Sequence, residues 1–502
     1  MGKVYLVGSG PGNEGLFTIF GMNILKKAQV LVFDRLIPKE LLAMVPENCE
    51  QIYVGKESSK HAMKQDDINK LLADRASEDK LVVRLKGGDP FLFGRGGEEA
   101  LYLKERDIEF ELVPGISAAL AVPLYAGIPV THRKVASSYA IFTGHEDPTK
   151  EDSTIDWEGS LGADTLVFFM GVERLDKIVE KIIAVRKDKE IPCALIQNGT
   201  LPTQKVVVGN LSNIVSLAEE NSVKPPALFV VGNVVSLRED LMWFEKKPLF
   251  GKRVVVTRSR MKASLLSERL KENGAEVFEI PVIKCVQIAD QKEFKFVFEN
   301  LCEYEYIVFS SSTGVKIFFE NLFKAGYDSR CIKSKIAVIG DGTSDELLKY
   351  GVVADILPEK FVAESLLDSF EKTNEAKKIL IPRAKEGRDE LVRGLLEKGY
   401  VVDDFHIYSV QPEQISKQDI EMAFQDGKEV FLTFASSKTA EYFYESLGEH
   451  RDLVLKVAKV VSIGPITSEK ARGLGFNVVA QAAEYNINGL VSALIGCEKG
   501  NS

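Results

Sequence analysis

The second half of this chain repeats itself, and nothing else in the sequence restricts the fold as much. Val254-Val255-Val256-Thr257-Arg258 resembles Ile379-Leu380-Ile381-Pro382-Arg383, and at equal distance beyond each arginine stands a glycine, Gly274 or Gly399, closing an amphipathic helical run. The same interval separates Phe309-Ser310-Ser311-Ser312 from Phe434-Ala435-Ser436-Ser437. One residue less separates Ile339-Gly340 with Thr343-Ser344 from Ile463-Gly464 with Thr467-Ser468. Any two α/β units share some likeness, but matched Arg, Ser and Thr positions favour a duplication. A duplicated α/β unit predicts two lobes with a ligand-binding cleft between them.

Strand-like and helical runs alternate over the rest of the chain. Val4–Val7, Val30–Phe33, Leu81–Leu85 and Glu109–Val113 read as strands, with Asp66–Ala76 and Gly97–Lys104 as helices between them. This is the pattern of α/β architecture. Pro129 and the polar stretch 131–138 predict a break near residue 135, and a new strand series runs from Ala140–Thr143 through Thr165–Phe169 and Ala194–Ile196 to Ala227–Val231. The charged, proline-containing Glu245-Lys246-Lys247-Pro248 predicts an inter-domain connection. With 502 residues, several domains are expected. The expected division is residues 1–245, with subdomains of about 1–134 and 135–245, a linker at 246–250, and residues 251–502.

No signal-peptide pattern or bilayer-length apolar run is visible, which predicts a cytoplasmic chain without a membrane partner. The six cysteines are scattered without a CxxC pair, so reduced thiols are expected and no metal site. The net charge of −9 argues against nucleic-acid binding. A polyanionic ligand would then need basic residues clustered against the overall sign.

In the first half, Gly8-Ser9-Gly10-Pro11-Gly12 follows a strand and Asp34 ends the next one, imitating a dinucleotide fingerprint. The third glycine of that pattern is replaced by Asn13, and Pro11 removes a backbone donor, both against a nicotinamide cofactor. Arg84-Leu85-Lys86-Gly87-Gly88-Asp89-Pro90 closes a strand with paired glycines, which let backbone approach a ligand, and a carboxylate suited to a cationic group. Gly94-Arg95-Gly96-Gly97-Glu98-Glu99 opens a helix, and Leu112-Val113-Pro114-Gly115-Ile116-Ser117-Ala118-Ala119 makes another strand-to-helix turn.

Together with Val54-Gly55-Lys56, Ala126-Gly127-Ile128-Pro129, Phe169-Met170-Gly171-Val172, Asn198-Gly199-Thr200 and Pro225-Pro226-Ala227-Leu228, these segments resemble the tetrapyrrole methylase family, in its uroporphyrinogen-III C-methyltransferase branch, from Val4 to about Val235. The resemblance implies two α/β domains, a homodimer, and S-adenosyl-L-methionine in the cleft between the domains. By position it implies cofactor contacts from Pro11, Gly87, Gly88, Asp89, Leu92, Ser117, Ala118, Met170 and Gly199. Asp34 and Lys56 match positions with acid-base roles in relatives; a turn or ribose contact for Asp34 and a carboxylate contact for Lys56 stand beside those roles. Two methyl transfers to uroporphyrinogen III would give precorrin-2, and Arg35, Arg95, Arg133 and Lys134 are candidates for the substrate's carboxylates, or solvated surface. The sequence departs from the family at Asn13, Gly15, Phe17, Phe33 and Ser117.

The second half shows no nucleophilic triad, and His406 and His450 have no ligand partner at useful spacing. Hydroxyl residues gather at strand ends: Ser310, Ser311, Ser312, Thr313, Ser436, Ser437 and Thr467. They suit anionic carboxylates, as do Arg258, Arg260 and Arg383, or they cap the helices that follow. With Gly251-Lys252-Arg253-Val254, Phe405 to Tyr408, Ile463-Gly464-Pro465 and Tyr485 through Leu490, this half is similar to uroporphyrinogen-III synthase from Gly251 to about Leu494. That family implies two α/β lobes joined by a two-strand linker, here about 251–283 plus 412–500 and about 287–406. Its reaction closes hydroxymethylbilane with inversion of the last ring. Arg258, Ser311, Arg383, Ser436 and Thr467 become candidate substrate contacts, and Tyr408 matches a tyrosine placed to protonate the departing hydroxyl, or packs at the lobe interface. The rival readings are a non-catalytic tetrapyrrole-binding second half, and a methylase for a later precorrin.

Overall fold

Five strands, β1 (Lys3–Gly8), β2 (Val30–Phe33), β3 (Glu50–Tyr53), β4 (Leu81–Lys86) and β5 (Glu109–Val113), build a sheet of order β3-β2-β4-β1-β5 with every ladder parallel. Helices cover both faces, so these strands are apolar on both sides. Val4, Leu6, Val32 and Val82 pack with Ile68, Leu72 and Leu103 on one face. Val7, Leu31, Val83 and Leu85 pack with Ile24, Leu25 and Leu41 on the other. A second sheet follows from β6 (Tyr139–Thr143), β7 (Thr165–Phe169), β8 (Pro192–Gln197), β9 (Lys205–Asn210) and β10 (Ala227–Val231), in the order β6-β7-β10-β8-β9. Here β6 and β7 are parallel and the remaining pairs antiparallel. This computed structural model describes residues 2–55, 63–144, 157–257, 260–358, 363–387, 389–424 and 429–499. Lys56 and Arg258 lie outside the described residues. The chain divides into two units, residues 1–252 with 270–276, and residues 253–269 with 277–502.

The second unit carries β11 (Arg253–Val256), β12 (Glu276–Glu279), β13 (Ile283–Gln287), β14 (Tyr304–Phe309), β15 (Lys335–Val338), β16 (Lys378–Ala384), β17 (Val401–Pro412), β18 (Val430–Phe434), β19 (Ala458–Ser462) and β20 (Asn477–Gln481). They form two sheets, β12-β11-β18-β19-β20 and β13-β17-β16-β14-β15. The repeat seen in the sequence is present, with an exchange. Its first copy begins at β11 and continues in β14 and β15, which lie in the other sheet; its second begins at β16 and continues in β18 and β19, in the sheet of β11. Each lobe therefore joins the first strand of one copy to the later strands of the other, giving the matching orders β12-β11-β18-β19 and β17-β16-β14-β15. Gly274 and Gly399 end equivalent helices at φ +91° and +95°, a conformation open to glycine. Ser311 and Ser436 cap equivalent helices, Ser312–Lys324 and Ser437–Ser446. The start of β17 pairs in parallel with β16, while its end pairs antiparallel with β13, from Gln287 opposite Tyr408 to Ile283 opposite Pro412. That ladder is the two-strand connection between the lobes. No described helix is long and apolar enough to cross a membrane.

A cluster of charged side chains is buried in the first unit. Arg84 and Lys86 on β4 point into the same helix-covered face as Val82, and the fully buried Glu99 lies between them. Its Oε1 accepts hydrogen bonds from Lys86 Nζ at 2.8 Å, Arg84 Nε at 3.3 Å and Gln65 Nε2 at 3.2 Å. Burial, with the Arg84 charge beside it, lowers the Lys86 pKa against the pull of Glu99. Removing one member of such a group leaves buried charge uncompensated. Glu99→Ala is therefore expected to destabilise the first unit by about 3–5 kcal/mol, read as a lower midpoint of its urea unfolding transition; an unmoved transition would show that the buried charges contribute nothing net.

Candidate functional site

The carboxyl ends of three adjacent parallel strands, β4, β1 and β5, meet through glycines. A Cβ on Gly115 would lie 2.1 Å from the Gly88 carbonyl oxygen and 2.7 Å from Gly8 Cα, so only bare backbone fits. Gly10 and Gly88, at φ +79° and +66°, form an isolated bridge in which each N–H donates to the other's carbonyl, at 3.2 and 2.7 Å. Asp89 fastens the arrangement: its Oδ2 accepts the Gly115 N–H at 3.1 Å and its Oδ1 the Phe91 N–H at 2.8 Å. Ser117 then caps the helix Ala118–Tyr125, its hydroxyl accepting the Ala119 N–H.

The second sheet faces these loops with turns of its own. Met170 follows β7 at φ +53°, and Asn198 and Thr200 follow β8 at φ +50° and +71°. Non-glycine residues held in this region mark turns fixed by their surroundings. Gly199 sits against Val122, leaving no room for a Cβ. The Asn198 N–H donates to Pro226, and Thr200 Oγ1 accepts from the Asn13 N–H at 3.3 Å, tying the glycine loop to the second subdomain.

Between these loops lies a cavity of about 610 Å³. Its lining includes Pro11, Gly87, Gly88, Asp89, Leu92, Ser117, Ala118, Met170 and Gly199, so the structure brings together every residue expected to hold a cofactor. Arg35 also lines it; it is exposed and without an ion pair among the described residues. Arg95 and Arg133 lie outside the lining, and the Arg95 guanidinium is paired with Glu98 at 2.7 Å. Asp34 sits beside the cavity: its Oδ1 accepts the Leu36 N–H at 3.1 Å, and Arg84 lies 3.5 Å from its Oδ2. Sequence reasoning left out Phe93, Phe169, Glu173 and Asn198, which also line the space. The Phe93 and Phe169 rings meet edge to face at 5.4 Å. Nothing in the sequence announces that contact, because it depends on the positive φ of Phe93.

In the second unit, Tyr408 is 5% exposed and its hydroxyl lies 2.9 Å from Ser311 Oγ. Burial raises its pKa above the usual phenol value, and the bond to Ser311 lowers it in part. Ser436 Oγ accepts the Thr439 N–H at 3.2 Å, a helix cap, and Thr467 is buried in the helix Pro465–Gly473. The buried Arg383 contacts Asp404 through Nε at 2.5 Å and through a terminal nitrogen at 2.6 Å, and Asp389 at 2.8 Å. Its fork is thus filled by protein carboxylates. His406 Nε2 reaches the same Asp404 at 3.1 Å.

These two halves match two family models. Residues 3–215 match the tetrapyrrole (corrin/porphyrin) methylases, and residues 264–492 match uroporphyrinogen-III synthase HemD. A porphyrin biosynthesis protein HemD of Ruminiclostridium josui is 37% identical over 502 residues, covering all of this chain and 99% of that protein. The uroporphyrinogen-III C-methyltransferase of Methanocaldococcus jannaschii is 50% identical over 237 residues, 47% of this chain and 98% of its own length. A solved uroporphyrin-III C-methyltransferase from Thermus thermophilus, in complex with S-adenosyl homocysteine, is 35% identical with a TM-score of 0.41, covering 47% of this chain and 93% of its own. The chain belongs to the porphyrin-biosynthesis family in which a tetrapyrrole methylase is fused to a uroporphyrinogen-III synthase.

Proposed function

We propose that this chain makes uroporphyrinogen III from hydroxymethylbilane with its second half and methylates that product twice, to precorrin-2, with its first. The observation that carries the methylase reading is the shared cavity, in which the residues matching the family's cofactor positions line one space at the carboxyl ends of parallel strands. The fit is steric as well as positional. Gly88 presents bare backbone with open space where a Cβ would point, as close approach of a ligand demands. S-adenosyl-L-methionine supplies an electrophilic sulfonium methyl when bound. The chain's part is alignment: Pro11, Gly87, Gly88, Asp89, Leu92, Ser117 and Ala118 are offered by the first subdomain's loops, Met170 and Gly199 by the second's, and a largely apolar lining excludes water. Asp34, 3.5 Å from Arg84, is assigned proton transfer at the pyrrole, as is Lys56, which matches another acid-base position of the family.

Arg35 is the cation on the cavity wall that remains available for a substrate carboxylate; Arg95 and Arg133 are assigned to the rim. In the second half, Ser436 and Thr467 at helix starts, with Arg258, are read as the carboxylate-facing surface, while Arg383 is held by Asp389 and Asp404; Tyr408 is read as the acid that helps the hydroxyl leave. We read the first half as a homodimer. Leu120 and Leu124, 51% and 56% exposed, sit one turn apart on the helix after edge strand β5, beside Leu112 and Ile116, an apolar face of the kind subunits bury. We also read the chain as cytoplasmic, in keeping with six cysteines that form no disulfide.

Purified chain incubated with hydroxymethylbilane and methyl-labelled S-adenosylmethionine is expected to give a dimethylated type III ring. Isomer I alone would overturn the synthase half, and an unlabelled type III ring the methylase half. Gly115→Ala drives a Cβ into the Gly88 carbonyl and is expected to weaken S-adenosylhomocysteine binding at least about tenfold, ~1.4 kcal/mol, by calorimetry. Arg35→Ala is expected to raise the KM for uroporphyrinogen III about tenfold, as loss of a charged hydrogen bond does, while leaving the KM for S-adenosylmethionine in place.

A further inference from the structure

Tyr408 is held through its ring, its carbonyl and the residues that follow it. Its ring belongs to the core formed with Phe309, Phe318 and Ile407, and its carbonyl accepts the Lys385 N–H at 2.8 Å. The next two residues are held by Glu386, which accepts the Ser409 hydroxyl at 2.5 Å and the Val410 N–H at 2.9 Å. Burial opposes ionisation of Glu386, but these two donors hold it below the usual carboxylate range, so a negative charge lies near the phenol. Among the described residues, the partner of the Tyr408 hydroxyl is Ser311 Oγ at 2.9 Å.

Ser311 has a second bond. Its Oγ accepts the Gly314 N–H at 3.1 Å, as N-cap of the 13-residue helix Ser312–Lys324. A hydroxyl that accepts from a helix terminus becomes a better donor, and only one hydrogen can lie between two hydroxyl oxygens. If Ser311 donates, the Tyr408 hydrogen must point elsewhere.

We propose that Ser311 is a positioning residue for Tyr408: its O–H donates to the phenol oxygen, turns the phenolic hydrogen toward the hydroxymethyl group, and holds the phenolate once that hydrogen has left. This rests on the reading of Tyr408 as proton donor. In the step, the Tyr408 proton passes to the departing oxygen, the C–O bond breaks, and water leaves. The pyrrole nitrogen lone pair fills the exocyclic bond to give the azafulvenium ion. The substituted α-carbon of the last ring attacks that exocyclic carbon, and the spiro adduct breaks its older methylene bond. The freed methylene carbon bonds to the ring's other α-carbon, and the phenolate takes the proton this carbon loses as it regains aromaticity, so the tyrosine is restored. Without Ser311, the phenolate would face the Glu386 charge and the Cys285 thiol, the ionisable groups that act on Tyr408.

The test separates the donor from the cap. Ser311→Thr keeps both; Ser311→Asp keeps the cap acceptor but cannot donate; Ser311→Ala loses both. In the full-length chain with hydroxymethylbilane, the alanine and aspartate variants are expected to lose about tenfold or more in kcat, with KM held within about threefold, while the threonine variant keeps at least about half of kcat. Methylation of preformed uroporphyrinogen III by the same preparations checks that each chain is intact. Tyr408→Phe is measured beside them, and adding Ser311→Ala to it is expected to cost nothing more. An aspartate variant as fast as wild type, a threonine variant as slow as alanine, or a change confined to KM would each overturn the proposal. A Tyr408→Phe enzyme with unchanged kcat would instead remove the proton-donor reading itself, and the role of Ser311 with it.

Discussion

Gly115 and Gly88 come together with no room for a Cβ between them, and the layer of strand-end loops in the first subdomain is built on that contact. With Gly8 against the same point, the loops after β1, β4 and β5 are drawn into one layer. Asp89 locks them there by accepting N–H groups from its own turn and from the turn after β5. A carboxylate that the sequence suggests as a partner for a cationic ligand is thus first a fastening between loops. The two roles are compatible, because a carboxylate oxygen carries more than one lone pair. The buried Glu99 acts one layer below. It pairs with both Arg84 and Lys86, and Arg84 extends from that group toward a second carboxylate, Asp34, at the cavity. The site is therefore set by strand-end backbone above and by a buried ion group beneath, which explains why a chain with so few charged groups on the cavity wall still places a carboxylate beside it.

The second unit reaches rigidity by another route. Because each lobe takes its first strand from one copy of the repeat and its later strands from the other, neither copy is a folding unit alone. The lobes are linked covalently where the chain crosses, at β13 and the long β17, and the antiparallel ladder between those strands stiffens the crossing. Tyr408 lies at the end of that ladder, opposite Gln287. A tyrosine at this position has its backbone fixed by both lobes' connection and its hydroxyl fixed by a helix start in one of them, which suits a group that must meet a flexible linear substrate at one defined atom.

Most of the architecture was legible in the sequence because it rests on short apolar runs. Val30–Phe33, Glu109–Val113, Thr165–Phe169 and Ala227–Val231 are strands with the expected bounds. In the first unit the strands not foreseen, Glu50–Tyr53 and Lys205–Asn210, are edge strands and only partly covered. The repeat was visible as matched motifs, but the exchange of first strands between lobes was legible only through the family likeness, since register between distant strands leaves no local signal. At the site, glycines and prolines could be read because they mark turns. Phe93, Phe169, Glu173 and Asn198 could not, because their places depend on loop conformations with positive φ and on the approach of the two subdomains.

The charge of the chain bears on how a polycarboxylate is received. A net charge of −9 offers no general attraction, and on the cavity wall Arg35 is outnumbered by Asp89 and Glu173. In the second unit Arg383, which the sequence offers as a receptor, is instead saturated by Asp389 and Asp404. Cations already paired within the protein gain little from a further carboxylate, because the new contact must replace an existing one. On the proposed reading, recognition falls to donors that carry no net charge: helix-start N–H groups and hydroxyls such as those around Ser311, Ser436 and Thr467. Such donors bind carboxylates by direction rather than by long-range field. They favour a substrate whose acid groups arrive in one arrangement over any other anion of equal charge.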